Sequence, residues 1–439
     1  MTTVTSETAT PFPAVPFSEA LAVWIKVGLF SFGGAAGQIA MLHTIIVDEK
    51  KWLDEKRFLH ALNYCTLLPG PEAQQLATYI GWLLHGVRGG LVAGLLFVVP
   101  GALVVLGLTM LYVAAKGVPL VEGIFFGIKA AVLVIVVQAL LKMAKRVGHT
   151  PLLYGLMVAS FLAILVLKLP YPAIVAGAAL AGALFVHPAT ESFTAPAAAS
   201  GWLGRTLVTI AVWTLVWWAP VVIAALALGQ GHVLTEIGLF FSKLAVVTFG
   251  GAYALLVWLA QAAVEQKHWL TAPEMADGLG LAETTPGPTI LVTQFVGFLA
   301  AYRLPQPFSP MLAGILGALM TTWVTFAPSF LWIFAGAPYV EDLRSNRRLA
   351  GALQGITAAV IGVIAYLAVW FGLHVLFGQV GEASFGPFHL PTVDFKRFDI
   401  WAAVLSVAAF VLAFRFKVGM IALVGIMAVA GVAVKLTLG

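Results

Sequence analysis

Ser31-Phe32-Gly33-Gly34-Ala35 occurs twice in this chain, the second time as Thr248-Phe249-Gly250-Gly251-Ala252, 217 positions later. The neighbourhood recurs with it. Glu19 returns as Glu236, Lys26 as Lys243, and Asp48-x-x-x-Trp52-Leu53 as Glu265-x-x-x-Trp269-Leu270. At the same offset Pro69-Gly70-Pro71 returns as Pro286-Gly287-Pro288. Further on the offset becomes 228 and pairs Pro100 with Pro328, Lys116 with Arg344 and Gly127 with Gly355. Polar, glycine and proline matches at fixed spacing are the mark of an internal duplication rather than of two greasy segments.

Composition says where the duplicated unit lives. Hydrophobic residues make up 61% of the 439 and charged residues 10%, with a mean hydropathy of +0.99. Soluble domains carry about 25% charged residues, so the chain is an integral membrane protein. The formal charge of +5 is modest, and the basic residues fall in loops instead of a nucleic-acid-binding stripe. The single cysteine, Cys65, excludes an internal disulfide and a multi-cysteine metal site. Residues 1–16 lack a basic start and an apolar run, so they read as a disordered tail and not as a signal peptide.

The apolar stretches fall into two kinds. Segments 17–47 and 58–86 in the first copy, and 234–264 and 275–302 in the second, are broken by glycine or proline. The segments near 90–115, 121–143, 151–168 and 170–187, and later 310–337, 349–378, 400–415 and 418–438, are unbroken. Segment 203–229 has no partner in the other copy, and a small-residue stretch covers 188–201. Pro69 and Pro71 have no N–H to donate and bias the residues before them away from helix, so a continuous helix through them is disfavoured.

The broken segments are either kinked spans or re-entrant hairpins, and loop charge arbitrates. If every broken segment is a hairpin, the basic loops at 50–57, 142–146, 344–348 and 415–417 all fall on the side of the N-terminus, which is then cytoplasmic. The expected fold is an all-α polytopic membrane protein made of two homologous halves, 17–187 and 234–438, as an inverted repeat. Each half has two interrupted segments followed by four transmembrane helices. The linker 188–233 supplies the extra helix that inverts the second half. The polar loop 379–399 receives no role.

Inverted repeats with interrupted helices are a transporter design with the site between the repeats. After each Pro-Gly-Pro a helix starts whose first N–H groups lack partners: those of Glu72, Ala73 and Gln74, and those of Thr289, Ile290 and Leu291. Helices also start after each Phe-Gly-Gly, near Ala35 and Ala252. Such termini suit an oxyanion. The plain structural alternative is that glycine and proline only permit close helix packing, but the repetition at matched positions favours a site. Lys26 and Lys243 lie inside apolar arms, where a cation costs ~2.5–3.5 kcal/mol by insertion scales. They are expected to face the anion, the alternative being that they snorkel to the interface. Glu72 and Glu283 are the nearest membrane carboxylates, able to bind a proton or pair with a lysine. Ser31, Thr248, Gln74, Gln75 and Thr289 can add neutral donors. The candidate binding surface is therefore Lys26, Ser31, Phe32, Gly33, Gly34, Pro69, Gly70, Pro71, Glu72, Gln74 and Gln75, with Lys243, Thr248, Phe249, Gly250, Gly251, Glu283, Pro286, Gly287, Pro288 and Thr289. No catalytic residue, cofactor or metal site is expected, because no P-loop, dinucleotide, zinc or nucleophile-elbow motif occurs.

The paired motifs, the Trp52-Leu53 and Trp269-Leu270 connectors, and the run Leu68-Pro69-Gly70-Pro71-Glu72-Ala73-Gln74-Gln75-Leu76-Ala77 resemble the chromate transporter family in its long, two-domain form. The resemblance covers about residues 17–438. It implies an inner-membrane carrier that exports chromate and confers resistance, with sulfate as the look-alike anion, the lipid bilayer as its surroundings, and room for a homodimer. The second copy departs from the run: Thr285 precedes its Pro-Gly-Pro and the Glu-Ala-Gln-Gln sequence is missing. Two other readings are a proton-coupled sulfate or organic-anion transporter and, from another class, a non-transporting membrane assembly protein.

Overall fold

A computed structural model of the chain describes residues 14–32, 34–145, 150–186, 202–249, 252–337 and 347–438. The tail over 1–13, the stretch 187–201 and Gly33, Gly250 and Gly251 of the motifs therefore lie outside the described residues. The first copy comprises α1 (Phe17–Phe30), α2 (Gly34–His43, continuing as a π-helical turn over Thr44–Glu49), α3 (Glu55–Leu67), α4 (Glu72–Ala114), α5 (Pro119–Ala144), α6 (Pro151–Leu165) and α7 (Tyr171–Phe185). The unpaired helix α8 spans Trp202–Leu228. The second copy follows as α9 (Val233–Val247), α10 (Ala252–Ala260, then a π-helical turn over Gln261–Gln266) and α11 (Ala272–Thr284). A 3₁₀ turn (Thr289–Leu291) leads into α12 (Val292–Arg303), and α13 (Pro310–Gly336) and α14 (Arg347–Leu376) complete the run. The chain closes with α15 (Ile400–Phe410, extended by a π-helical turn over Val411–Arg415) and α16 (Met420–Leu438).

Ion pairs fix the course of the broken segments. At 1.5 Å per residue, α1 and the α2 arm laid end to end would part their outer ends by ~40 Å. Instead Lys50 Nζ lies 2.8 Å from Glu19 Oε1, and at the matched positions Lys267 Nζ lies 2.9 Å from Glu236 Oε2. Each Phe-Gly-Gly segment thus returns to its starting level as a hairpin. The second break behaves likewise. Helix α4 folds back at His85 and Gly86, whose φ of 59° suits glycine, so that Gly81 packs against Gly89. His85 Nε2 comes within 2.8 Å of the Val15 carbonyl, at the start of α1. In the second copy Arg303, ending α12, reaches Glu274 at 2.6 Å and the Trp269 carbonyl at 2.5 Å, at the start of α11.

The outer arm of α4, residues 87–114, is roughly 40 Å of helix. It starts among the first copy's hairpin bases and ends beside Lys116, which sits 3.0 Å from Glu274 at the base of a second-copy hairpin. Helix α13 runs the opposite way alongside it, with Phe330 against Gly94 and Phe334 against Gly90.

The copies pack as one body. Gly123 and Gly127 of α5 lie on Gly431 and Met427 of α16, and at matched positions Gly351 and Gly355 of α14 lie on Gly182 and Ala178 of α7. Each copy's small-residue face thus receives the other copy's last helix, the close approach that glycine permits between membrane helices.

Three details differ from the sequence reading. Among the described residues six helices have the length and apolarity to cross a membrane, Glu72–Ala114, Pro119–Ala144, Gly204–Leu228, Pro310–Gly336, Arg347–Leu376 and Met420–Thr437. Helices α6 and α7, with 15 residues each, are only about 22 Å long, short of a ~30 Å core. Their apolar runs are ended early by the turn at Lys168 and Pro170. The loop without a role is a β-hairpin, β1 (Val380–Phe385) against β2 (Phe388–Val393), antiparallel with Val380 opposite Val393.

Candidate functional site: the crossed hairpin tips

The hairpin tips of the two copies meet, and they pair crosswise. Proline removes the donors on either side, so Gly70 and Gly287 carry the one N–H of each Pro-Gly-Pro turn, at φ of 121° and 93° that glycine accepts. The Gly70 N–H donates to the Thr248 carbonyl at 2.8 Å, and the Gly287 N–H donates to the Ser31 carbonyl at 2.9 Å. Those carbonyls are free because α1 stops at Phe30 and α9 at Val247, with Ser31 and Thr248 turned out of the helix. Each copy's Phe-Gly-Gly tip thereby holds the other copy's Pro-Gly-Pro tip.

The long helices complete the walls. Gly101 of α4 lies against Pro286 and Gly287, and Ser329 of α13, its match at offset 228, lies beside Gly70. A side chain at Gly101 would run into the Pro286 carbonyl. Gln38 donates to the Gly287 carbonyl at 2.6 Å and to the Ser31 carbonyl at 3.3 Å, and Gln75 donates to the Pro69 carbonyl at 2.7 Å. Gln294 donates to the Ala102 carbonyl at 3.0 Å.

Around these turns, buried polar atoms have no partner within the protein: Ser31 Oγ, both polar atoms of the Gln74 amide, Gln75 Oε1, Gln294 Oε1, Thr325 Oγ1 and Ser329 Oγ. An unmade hydrogen bond on a buried group costs ~1–3 kcal/mol, so such a concentration marks a place for water or a polar solute. Helix α4 begins at Glu72 directly after the first turn, adding N–H groups and the positive end of its dipole. Helix α12 is preceded by a 3₁₀ turn at Thr289–Leu291, so its positive end stands one turn further back.

Of the expected residues, the structure brings together Ser31, Pro69, Gly70, Pro71, Gln74, Gln75, Thr248, Pro286, Gly287, Pro288 and Thr289 at or next to the turns. Gly34, with φ of 65°, opens α2, while Phe32 and Phe249 are half-buried where the hairpins turn. Glu283 is buried near the end of α11 and Glu72 is half-buried at the start of α4. Lys26 and Lys243 stand apart. Helix α1 buries Ala20, Val23, Trp24, Val27 and Gly28, which leaves Lys26 on its outer side, 55% exposed and 3.8 Å from Glu49 at the hairpin base. Lys243 shares an exposed stripe with Leu239 and Val246. The sequence reading missed Gln38, Gln294, Thr325 and Ser329. The Pro100–Pro328 match pointed at Ser329 one residue on, whereas Gln38 has apolar Leu255 at its matched position and gave no repeat signal.

A polytopic membrane protein whose duplicated hairpins cross in its interior and leave polar groups buried there has the build of a solute carrier. The chain belongs to the chromate transporter family, whose model matches residues 18–183 and 235–432. It is 30% identical to the chromate transport protein of Pseudomonas aeruginosa, with 80% of each chain covered. It is 28% identical to that of Cupriavidus metallidurans over 80% of this chain and 82% of the other. It is 26% identical to a probable chromate transport protein of Synechococcus elongatus over 82% and 86%. No solved structure matches.

Proposed function

We propose that the chain is a secondary transporter that exports chromate, a tetrahedral oxyanion, across the bacterial inner membrane and so confers chromate resistance, with sulfate as competing anion. The crossed tips carry this reading: a pinned pair of turns flanked by unpartnered amide and hydroxyl groups is a ready set of neutral donors for an oxyanion. Backbone N–H groups and the α4 dipole supply positive potential, so a lysine in the centre is not required. Ser31, Gln74 and Ser329 would donate to the anion, with Gln75 bracing the Pro69 carbonyl and the Gly70 and Gly287 turns shaping the pocket. The relatives named as chromate transport proteins give the substrate class.

The same reading takes the halves as oppositely oriented. The contact between Lys116 and Glu274 at the far end of the long α4 arm supports it, because the hairpin bases of the two copies then lie about a bilayer apart. Basic residues Lys50, Lys51, Lys56 and Arg57 near the first set of bases favour a cytoplasmic placement there, with the N-terminus on that side. Export agrees with the field. Moving one charge is worth ~2.3 kcal/mol per 100 mV, so a departing dianion gains roughly 4–5 kcal/mol per 100 mV from an interior-negative potential. Radiolabelled chromate flux into inverted vesicles tests the proposal. Accumulation should rise with an interior-positive potential and fall with added sulfate. Vesicles containing the protein that accumulate no more chromate than empty ones would overturn it.

A further inference from the structure

We propose that Asp277, gripped by Lys129 and Tyr112, is a proton-binding site that couples relative movement of the two halves to proton uptake, so that a proton passes inward as the anion passes outward. This rests on the transport reading above but uses none of its binding residues. Asp277 lies on α11, in the second half, and is buried in the protein. Lys129 Nζ, from α5, sits 2.9 Å from one carboxylate oxygen, and the Tyr112 hydroxyl, from α4, donates to the other at 2.9 Å. Both grips come from the first half, so the triad straddles the boundary between halves.

The other charged groups nearby are already engaged. Glu274, one turn earlier on α11, accepts from Lys116 at 3.0 Å and from Arg303 of α12 at 2.6 Å. Helix α14 also packs on α11, but its Tyr366 and His374 line a separate cavity with Glu265 and Lys168. The arrangement is not duplicated: the positions matching Asp277 and Lys129 hold His60 and Thr357. A carboxylate–ammonium pair placed once, within membrane-embedded helices and between the two halves, marks a proton or ion path more readily than a fold element, which the repeat would have copied.

The chemistry follows from the burial. Parting α11 from α5 with Asp277 ionised strands two opposite charges away from water, which strongly disfavours the parted state. A proton from water, added to the carboxylate, removes one of the two charges. The Tyr112 hydroxyl can accept from the acid as readily as it donates to the carboxylate. When the halves close, the proton leaves to water on the opposite face and the Lys129–Asp277 pair re-forms. Asp277 lies within two turns of the start of α11, on the side of Lys116 and Glu274, so protons arrive from that face.

The test uses the whole protein in liposomes, with radiolabelled chromate and a pH-sensitive dye read together. Wild type should move protons opposite to chromate, and an acid gradient directed inward should accelerate export severalfold. Asp277→Asn should still exchange chromate against chromate while losing proton movement and the acceleration. Lys129→Met removes the charge paired with the carboxylate, so the pH profile of transport should shift from that of wild type. Proton movement through Asp277→Asn at the wild-type ratio, or an unshifted profile in Lys129→Met, overturns the proposal. So does an Asp277→Asn/Lys129→Met double variant whose proton coupling matches wild type, since the pair would then be only a clasp. If wild type itself moves no chromate, the transport reading fails instead.

Discussion

The two Pro-Gly-Pro turns have the same backbone but different surroundings. Pro286-Gly287-Pro288 is closed off. Gln38 caps the Gly287 carbonyl, Gly101 presses its backbone against Pro286, and Leu291 stands where the other copy has Gln74. Pro69-Gly70-Pro71 is open in the chemical sense, with Gln74, Gln75 and Ser329 beside it offering atoms that nothing in the protein satisfies. Duplication supplied the frame twice, and the furnishing then diverged. On the function proposed above, the first turn carries most of the donors and the second mainly mirrors its backbone.

The comparison is first sharpened by sidedness, where the expected difference is all-or-none. With the halves inverted, the two turns enter the membrane from opposite faces. Lys50→Cys and Lys267→Cys replace half-exposed residues whose surface ion pairs contribute little to stability, so both variants should fold. An impermeant thiol reagent, with Cys65 replaced by alanine, should label one from outside intact cells and the other only in inverted vesicles. Labelling of both from one side would remove the inversion and the direct reading of the two faces.

Next in size is Gln74→Leu, which gives the first turn the residue of the second. It also removes a buried amide with two unsatisfied atoms, so protein yield should hold or rise. If Gln74 holds the anion, a charge-assisted hydrogen bond of roughly 1.5–3 kcal/mol is lost, a ten- to hundredfold fall in chromate transport at limiting substrate. The reverse change, Leu291→Gln, should leave transport within a few-fold while lowering thermal stability, since it buries an amide on the closed side. Equal losses from the two would mean that the turns are not functionally distinct.

A smaller effect is expected from exchanging the wall residues. Ser329→Gly removes a single hydroxyl near Gly70, ~1.5 kcal/mol or about tenfold in transport, the low end for a hydrogen bond to a charged group. Gly101→Ser adds a side chain where the Pro286 carbonyl already sits, and overpacking of this kind costs typically 1–3 kcal/mol of stability. Melting of the detergent-solubilised protein separates the two: Gly101→Ser should melt lower than wild type and Ser329→Gly should not.

Much of this frame is legible in the sequence because a duplication states equivalence at every position. The offset of 217 aligns the π-helical turns 44–49 and 261–266, the Glu19–Lys50 and Glu236–Lys267 pairs, and the two glycine turns. Loop charge points to hairpins, and the Glu19–Lys50 contact bears that out for the first break. Equivalence does not say which copy a tip touches, so the crossed pairing of Gly70 with Thr248 and Gly287 with Ser31 could not be read. A residue that differs between copies, such as Gln38 against Leu255, gave no repeat signal, and Ser329 was marked only by its neighbour Pro328. The lysines are the instructive case. In water, a helix's polar side faces solvent and its apolar side the core. In α1 both sides are apolar, Trp24 and Val27 inward and Ile25 and Leu29 outward, so hydropathy does not say which side carries Lys26.

The lysines also give the smallest expected effect. As a symmetric pair of cations facing an anion, Lys26 and Lys243 would predict a steep loss of transport on neutralisation. The geometry argues otherwise. Lys26 points outward and its nearest partner is Glu49 at 3.8 Å, a contact too long and too exposed to contribute more than a few tenths of a kcal/mol. Lys243 has Gln266 at the position matching Glu49, so the second copy dispenses with that partner altogether. Both side chains are long enough to carry their ammonium groups toward the headgroups, as lysines near helix ends do. Lys26→Met and Lys243→Met keep the apolar stem, so the variants should insert normally and transport chromate within about twofold of wild type at limiting substrate. Glutamate at either position is the sharper probe. An outward carboxylate should lower membrane insertion without changing flux per inserted molecule, whereas a carboxylate facing the anion should abolish flux in protein that does insert. A tenfold loss per inserted molecule in the methionine variants would return the lysines to the site and make the neutral donors at the first turn secondary.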